Sequence, residues 1–230
     1  MMFGGWQRCS LLDFPGKISL VLFTQGCSFR CPFCHNPSLV DPSQFTHSMI
    51  SQEEVFSLLE KRRGKLDGVV ITGGEPTIHP ALPDCVRRIR SMGFAIKLDS
   101  NGIRPDVIEL LLRDRLIDYV ALDRKASWKR YPLVAGVPVE TDAIMRTSQL
   151  VMDSSIAYEF RATLVKELHP PEEVEQMARE LAGAERFILQ QFRPTVTLDP
   201  KLQQATPYSD EEMAELVDLA SPYVGECSWR

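Results

Sequence analysis

The sequence predicts an α/β fold, an incomplete (βα)6 TIM-like barrel, from three observations. Six short β-rich runs alternate strictly with six longer segments of helical period. The β-rich runs are nearly continuous apolar stretches, the composition of parallel strands covered by helices on their outer face. Such alternation implies right-handed crossovers in one parallel sheet, and six units fall short of the eight that close a barrel. An open doubly wound sheet is the other architecture it permits. At 230 residues the chain has the length of one α/β domain.

The expected strands are ISLVLFTQ (18–25), GVVITG (68–73), AIKLDS (95–100), DYVALD (118–123), YEFRATLV (158–165) and RFILQQF (186–192). The first helix begins at Ser51, where SQEE offers a capping box with Glu54, and Val55, Leu58 and Leu59 form its apolar stripe. A second runs from about Pro80 with Leu82, Cys85, Val86 and Ile89 inward. Pro105 suits the first turn of a third, with Val107, Ile108, Leu111 and Leu112 on one face. Thr141 is placed to cap a fourth that carries Ile144, Met145 and Val151. Pro170 and Pro171 open a fifth, and Ser209 with Glu212 caps the last. The proline-rich stretch 192–210 reads as a long surface connection, not a domain linker.

Composition narrows the function. Hydrophobic residues make up 44% and charged residues 25%, and the net charge is −5 without a long basic run, so no general nucleic-acid binder is expected. No segment has the roughly 20 apolar residues needed to span a bilayer, and the start lacks the basic and apolar regions of a signal peptide, so a cytoplasmic location is expected. In a reducing compartment a cysteine cluster points to metal binding or catalysis rather than to disulfides. Cys9, Cys85 and Cys227 are isolated and read as small hydrophobes.

Cys27, Cys31 and Cys34 stand together in QGCSFRCPFCHNPS, a C-x3-C-x2-C spacing with no fourth cysteine nearby. Structural zinc sites are closed by four ligands, and His35 is too near Cys34 to turn back onto the same metal. The common ferredoxin spacings differ, and a thiol redox pair in CPFC leaves Cys27 unexplained. Three thiolates on one loop suit a 4Fe–4S cubane whose fourth iron has no protein ligand, the open position of a catalytic site. In either α/β architecture the working face lies at the carboxyl ends of the strands. QGCSFRC, GGEP (73–76) and SNG (100–102) follow the first three strands, and Asp123 and Lys125 end the fourth.

The cysteine motif, with Phe33 just before its last cysteine, resembles the signature of the radical S-adenosylmethionine (SAM) enzymes. The segment LLDFPGKISLVLFTQGCSFRCPFCHNPSLV (11–40) resembles the activating enzymes of glycyl-radical proteins. It looks most like the activating proteins of anaerobic ribonucleoside-triphosphate reductase, with the pyruvate formate-lyase activating enzymes as near relatives, and the likeness covers essentially the whole chain. The resemblance implies a single radical SAM domain over 1–230, with the cluster loop at 26–36 and a C-terminal extension over about 193–230.

It further implies that Gly73, Gly74, Glu75 and Pro76 receive the methionine amino group of SAM, Glu75 stabilising the ammonium. Asp99, Ser100, Asn101 and Asp123 then lie near the cofactor's carboxylate, with a possible monovalent cation between Asp99 and Asp123 that offsets their charge. A simple turn at Asn101 is the alternative for that residue. Lys125 and Arg161 are the cationic contacts to the cofactor carboxylate, unless Arg161 forms an ion pair inside the barrel. By the same likeness His35 and Asn36 lie against the adenine and Phe33 is among the cofactor-binding residues, a plain loop residue being the alternative for His35. His47, His79 and His169 carry no assigned role; Gln190, Gln191 and Arg193 close the sixth strand, a position on the substrate side that no motif marks.

The implied function is reductive cleavage of SAM and use of the 5′-deoxyadenosyl radical to generate a glycyl radical on a partner enzyme, with a flavodoxin or ferredoxin-type protein as electron donor. Two other readings stay open: a radical SAM enzyme acting on another small molecule or peptide, and a metal-cluster binding module without turnover.

Overall fold

The computed structural model describes residues 1–45 and 48–230, so His47 lies outside the described residues. All six expected strands are present within a residue or so of their expected ends, and three more accompany them. In chain order they are β1 (Met2–Ser10), β2 (Ser19–Thr24), β3 (Ile50–Ser51), β4 (Gly68–Gly73), β5 (Ala95–Ser100), β6 (Tyr119–Asp123), β7 (Ala157–Leu164), β8 (Arg186–Gln191) and β9 (Glu226–Trp229). They make one sheet in the order β3-β1-β2-β4-β5-β6-β7-β8-β9. Every pairing from β2 to β9 is parallel, while β1 runs antiparallel to both β2 and β3. The result is a partial TIM barrel whose end strands, β3 and β9, do not pair with each other.

The helices are α1 (Pro37–Val40), α2 (Gln52–Lys61), α3 (Leu82–Ser91), α4 (Pro105–Arg113), α5 (Tyr131–Ala135), α6 (Thr141–Met152), α7 (Pro171–Glu180) and α8 (Asp210–Ala220). Both capping boxes form, Ser51 with Glu54 and Ser209 with Glu212. Thr141 does not cap α6: it is the first helical residue, and Glu140 precedes it without a side-chain cap. The segment 193–230 is no mere appendage, because it supplies α8 and the parallel edge strand β9.

Alternation along the strands separates two interiors. Leu20, Leu22, Val69, Ile71, Ile96, Leu98, Val120 and Leu122 join the core that packs the sheet against the helices. Cys85 is buried there as expected, and Cys227 packs against it, whereas Cys9 is exposed. The alternate residues face inward. At the amino ends of the strands Phe14, from the loop after β1, closes the barrel against Val21, Val70 and Tyr119, its ring edge-on to Tyr119 at 6.1 Å. Above this plug the inward face turns polar, with Lys97, Asp99 and Glu159 buried on β5 and β7. No helix among the described residues is long and apolar enough to cross a membrane.

Candidate functional site

The loop after β2 brings Cys27, Cys31 and Cys34 to the carboxyl face, and backbone contacts from several elements hold it. Gly26 N–H donates to Leu39 O at 2.7 Å, Arg30 N–H to Ala135 O at 2.8 Å, and Asp199 N–H to Pro32 O at 2.9 Å. The Arg30 guanidinium folds back onto the carbonyls of Cys27 and Phe29 at 2.8 and 2.7 Å. Gly136 ends α5 in the left-handed region, where a Cβ would sit 2.3 Å from Arg30 O, so only glycine lets α5 approach the loop.

None of the three thiols is in a disulfide, and all three line a cavity of about 170 Å³. Phe33, His35 and Asn36 of the same loop line it as well, as do Gly73, Gly74, Asn101, Asp123 and Lys125. Burial pushes the Cys27 thiol up to about 12, against the pull of the Phe29 N–H, and the Cys31 thiol up to about 11. A cationic centre bound at these sulfurs would reverse that preference. Cys27 Sγ also accepts from Phe29 N–H at 3.4 Å and from Asn101 Nδ2 at 3.9 Å, contacts that favour a thiolate. Among the described residues no three His, Cys, Asp or Glu side chains converge on a single metal ion. A cubane spreads its thiolates over separate irons, so the donor set fits a cluster with three protein ligands.

Gly73 and Gly74 leave β4 pressed against the cluster loop. A Cβ on Gly74 would meet Gly26 O at 2.0 Å, and one on Gly73, whose φ is +117°, would meet Thr24 N at 2.3 Å. Glu75 does not face the cavity as expected. It is buried, with Oε1 accepting from Thr77 N–H, Thr77 Oγ1 and Ser100 Oγ, and Oε2 from Asn101 N–H at 2.6 Å. Its carboxylate is therefore filled by groups that lock the β4 and β5 loops together, and Ser100 and Pro76 stand behind the cavity wall with it. Glu75→Gln would turn an amide against Asn101 N–H, and we expect a loss of about 2 kcal/mol in chemical denaturation.

Asp99 and Arg161 also lie behind the lining, in a chain of opposite charges inside the barrel. Lys97 Nζ meets Asp99 Oδ1 at 2.7 Å, Arg161 Nη1 meets Asp99 Oδ2 at 3.1 Å, Arg161 Nη2 meets Asp123 Oδ1 at 2.9 Å, and Lys125 Nζ meets Asp123 Oδ2 at 3.0 Å. Arg161 is thus the internal ion pair, and Lys125 alone of the two cations reaches the cavity. Each carboxylate oxygen of Asp99 and Asp123 already faces a cationic side chain. The charge offset anticipated for a monovalent cation is supplied by Arg161 between them.

Burial opposes ionisation of Asp123, but Lys125 and then Arg161 outweigh it and hold the carboxyl at about 2, down from 3.8. A depressed folded value adds stability that is full above the unfolded value and is lost as pH falls through the folded one. Asp123→Asn should therefore cost about 2 kcal/mol at neutral pH and flatten the stability profile between about pH 4 and 2. Denaturation midpoints across that range check it. Lys125 is held protonated, Asp123 and then Cys31 overcoming its burial.

His35 stacks on Phe192 with ring centroids 5.5 Å apart and planes 14° from parallel. Asn101 makes a turn, its Oδ1 accepting from Ile103 N–H at 3.1 Å, and its Nδ2 lies 3.9 Å from Cys27 Sγ. His169, for which the sequence suggests no role, is fully buried behind the site. Its Nδ1 accepts from Val165 N–H at 3.0 Å, its Nε2–H donates to Lys125 O at 2.8 Å, and its ring meets Phe33 edge-on at 5.8 Å. Burial lowers its pKa, in keeping with this neutral tautomer. Nothing in its sequence neighbourhood signals the role. His79 does not line this cavity.

The sequence pattern of the Radical SAM superfamily matches residues 21–157. A Methanocaldococcus jannaschii protein with the provisional name glycyl-radical enzyme activating enzyme is 30% identical over 221 residues, 94% of this chain and 90% of that one. The 7-carboxy-7-deazaguanine synthase of Aquifex aeolicus is 33% identical over 87 residues, 38% of this chain and 37% of that one. The crystal structure of QueE from Escherichia coli shares the fold, with a TM-score of 0.58 at 16% identity over 100% of this chain and 93% of that one.

Proposed function

The chain belongs to the radical SAM superfamily and is a radical SAM enzyme with a 4Fe–4S cluster and SAM as cofactors, and we propose that it generates a glycyl radical on a partner protein. The observation that carries this reading is the match to the M. jannaschii protein, which spans nearly the whole of both chains. The match to the A. aeolicus synthase reaches only a minor part of either chain. The resemblance of residues 11–40 favours anaerobic ribonucleoside-triphosphate reductase as that partner.

The cluster and the sulfonium supply the radical chemistry; the protein binds, orients and shields them. In this reading Cys27, Cys31 and Cys34 would hold the cluster and leave an open iron position that SAM would occupy. Gly73 and Gly74 bring bare backbone to the cavity wall, and Lys125 presents its ammonium to the cofactor's carboxylate. His35, braced flat on Phe192, and Asn36 take the adenine side. Phe29 and Phe33 pack around the sulfurs and keep water from them. Glu75, Ser100, Asp99 and Arg161 fix these groups from behind. The three remaining cysteines are dispersed, and a flavodoxin or ferredoxin-type protein would supply the electron to the cluster held by Cys27, Cys31 and Cys34.

The test is anaerobic. The loaded, reduced protein is mixed with SAM and anaerobic ribonucleoside-triphosphate reductase, and the reductase is read by electron paramagnetic resonance. A glycyl-radical doublet, absent with the Cys31→Ala variant, is the expected result. Cleavage of SAM without a radical on the reductase would reject this partner.

A further inference from the structure

A second cavity, of about 400 Å³, is lined by His35, Thr163, Gln190, Gln191, Arg193 and Arg230. It shares His35 and Thr163 with the cysteine-lined cavity, so the two adjoin at the carboxyl ends of β7 and β8. Its lining holds two guanidinium groups and no Asp or Glu side chain. Arg193 makes no ion pair among the described residues, and Arg230 reaches only Glu159, at 3.5 Å. The Gln191 amide is committed to Tyr208 O at 2.8 Å, whereas the Thr163 hydroxyl and the Gln190 amide have no hydrogen-bond partner among the described residues. This concentration of positive charge is local, since the chain as a whole carries −5.

Guanidinium forks match a planar carboxylate, and the free hydroxyl and amide offer further donors beside them. We propose that this cavity is the substrate subsite and that it takes a carboxylate carried close to the hydrogen the radical removes. The inference rests on the reading of the adjoining cavity as the place where the radical is made. The carboxylate has two possible sources, an acidic side chain in the partner's glycine-bearing segment or a free small-molecule acid.

Two matched pairs of probes test it by anaerobic titration calorimetry on the cluster-loaded protein with SAM. One pair is a glycine-centred heptapeptide with Glu near the glycine and its Gln counterpart; the other is benzoate and benzamide. At least one acid is expected to bind about tenfold or more tightly than its amide, the size of a charge-assisted pair. Arg193→Glu should abolish that preference, and Arg193→Gln should reduce it. Arg193 is exposed, so both variants should melt with the parent, and the milder one serves if the reversal misfolds. A preference in the peptide pair assigns the carboxylate to a protein segment, and one in the benzoate pair assigns it to a small acid. Equal binding within both pairs, no saturation by either acid at millimolar concentration, or a preference that survives both Arg193 variants would overturn the proposal. An acid preference with no glycyl radical on the reductase would instead reject that partner and leave the subsite standing.

Discussion

Gly74→Ala is expected to cost about 3 kcal/mol, at the upper end for overpacking, and to reduce cluster loading with it. The added Cβ would lie 2.0 Å from Gly26 O and 2.7 Å from Gly26 C, both backbone atoms that no rotamer change can move. The strands around them are also fixed: Gly74 N–H donates to Thr24 O at 2.9 Å, and Glu75 N–H to Gly26 O at 2.8 Å. Relief must come from the loop that begins at Gly26 and carries Cys27 one residue later. Stability and iron content should therefore fall together. A denaturation midpoint and iron analysis after anaerobic reconstitution give both readings. An alanine variant with parental stability would mean that the two loops are not in contact as described.

Cys31→Ala is the second large effect. Losing an outer-shell partner already costs a metal site roughly 10–100-fold in affinity. Removing one of three thiolate ligands should exceed that, so the variant is expected to retain almost no iron after gel filtration and to lack the visible absorption of the cluster. Its cavity is small and its loop is held by backbone bonds from Ala135 and Asp199, so the chain should still fold. Cys85→Ala is the matched control. Cys85 is equally buried but sits among the aliphatic core residues of α3, and its loss should cost about 1 kcal/mol of stability while iron loading stays at the parental level.

Much of this architecture is legible in the sequence because two periodicities carry it. The parallel strands are short β-branched runs, and the helices announce their starts through Ser51, Pro105, Pro171 and Ser209. The antiparallel β1 is not legible: MFGGWQRCS has two glycines and several polar residues, and it forms because β2 offers a free edge. β9 is likewise short and gains its order from pairing with β8. In the site, the loop residues Cys27, Cys31, Cys34, His35 and Asn36 line one cavity, as neighbours on a single loop can without any strand register. The roles of Glu75, Arg161 and Lys97 depend on which strand lies beside which. AIKLDS shows alternate apolar and charged residues, but only the β5–β6–β7 order puts Arg161 between Asp99 and Asp123. His169 is further from reach, because its partners Val165, Lys125 and Phe33 come from three separate segments.

The most direct test of the central claim is product analysis. The protein is reconstituted without oxygen, its cluster is reduced with dithionite, SAM is added, and 5′-deoxyadenosine is quantified. Formation of 5′-deoxyadenosine by the parent is the result this account predicts. A fully loaded, reducible cluster that leaves SAM intact would contradict it.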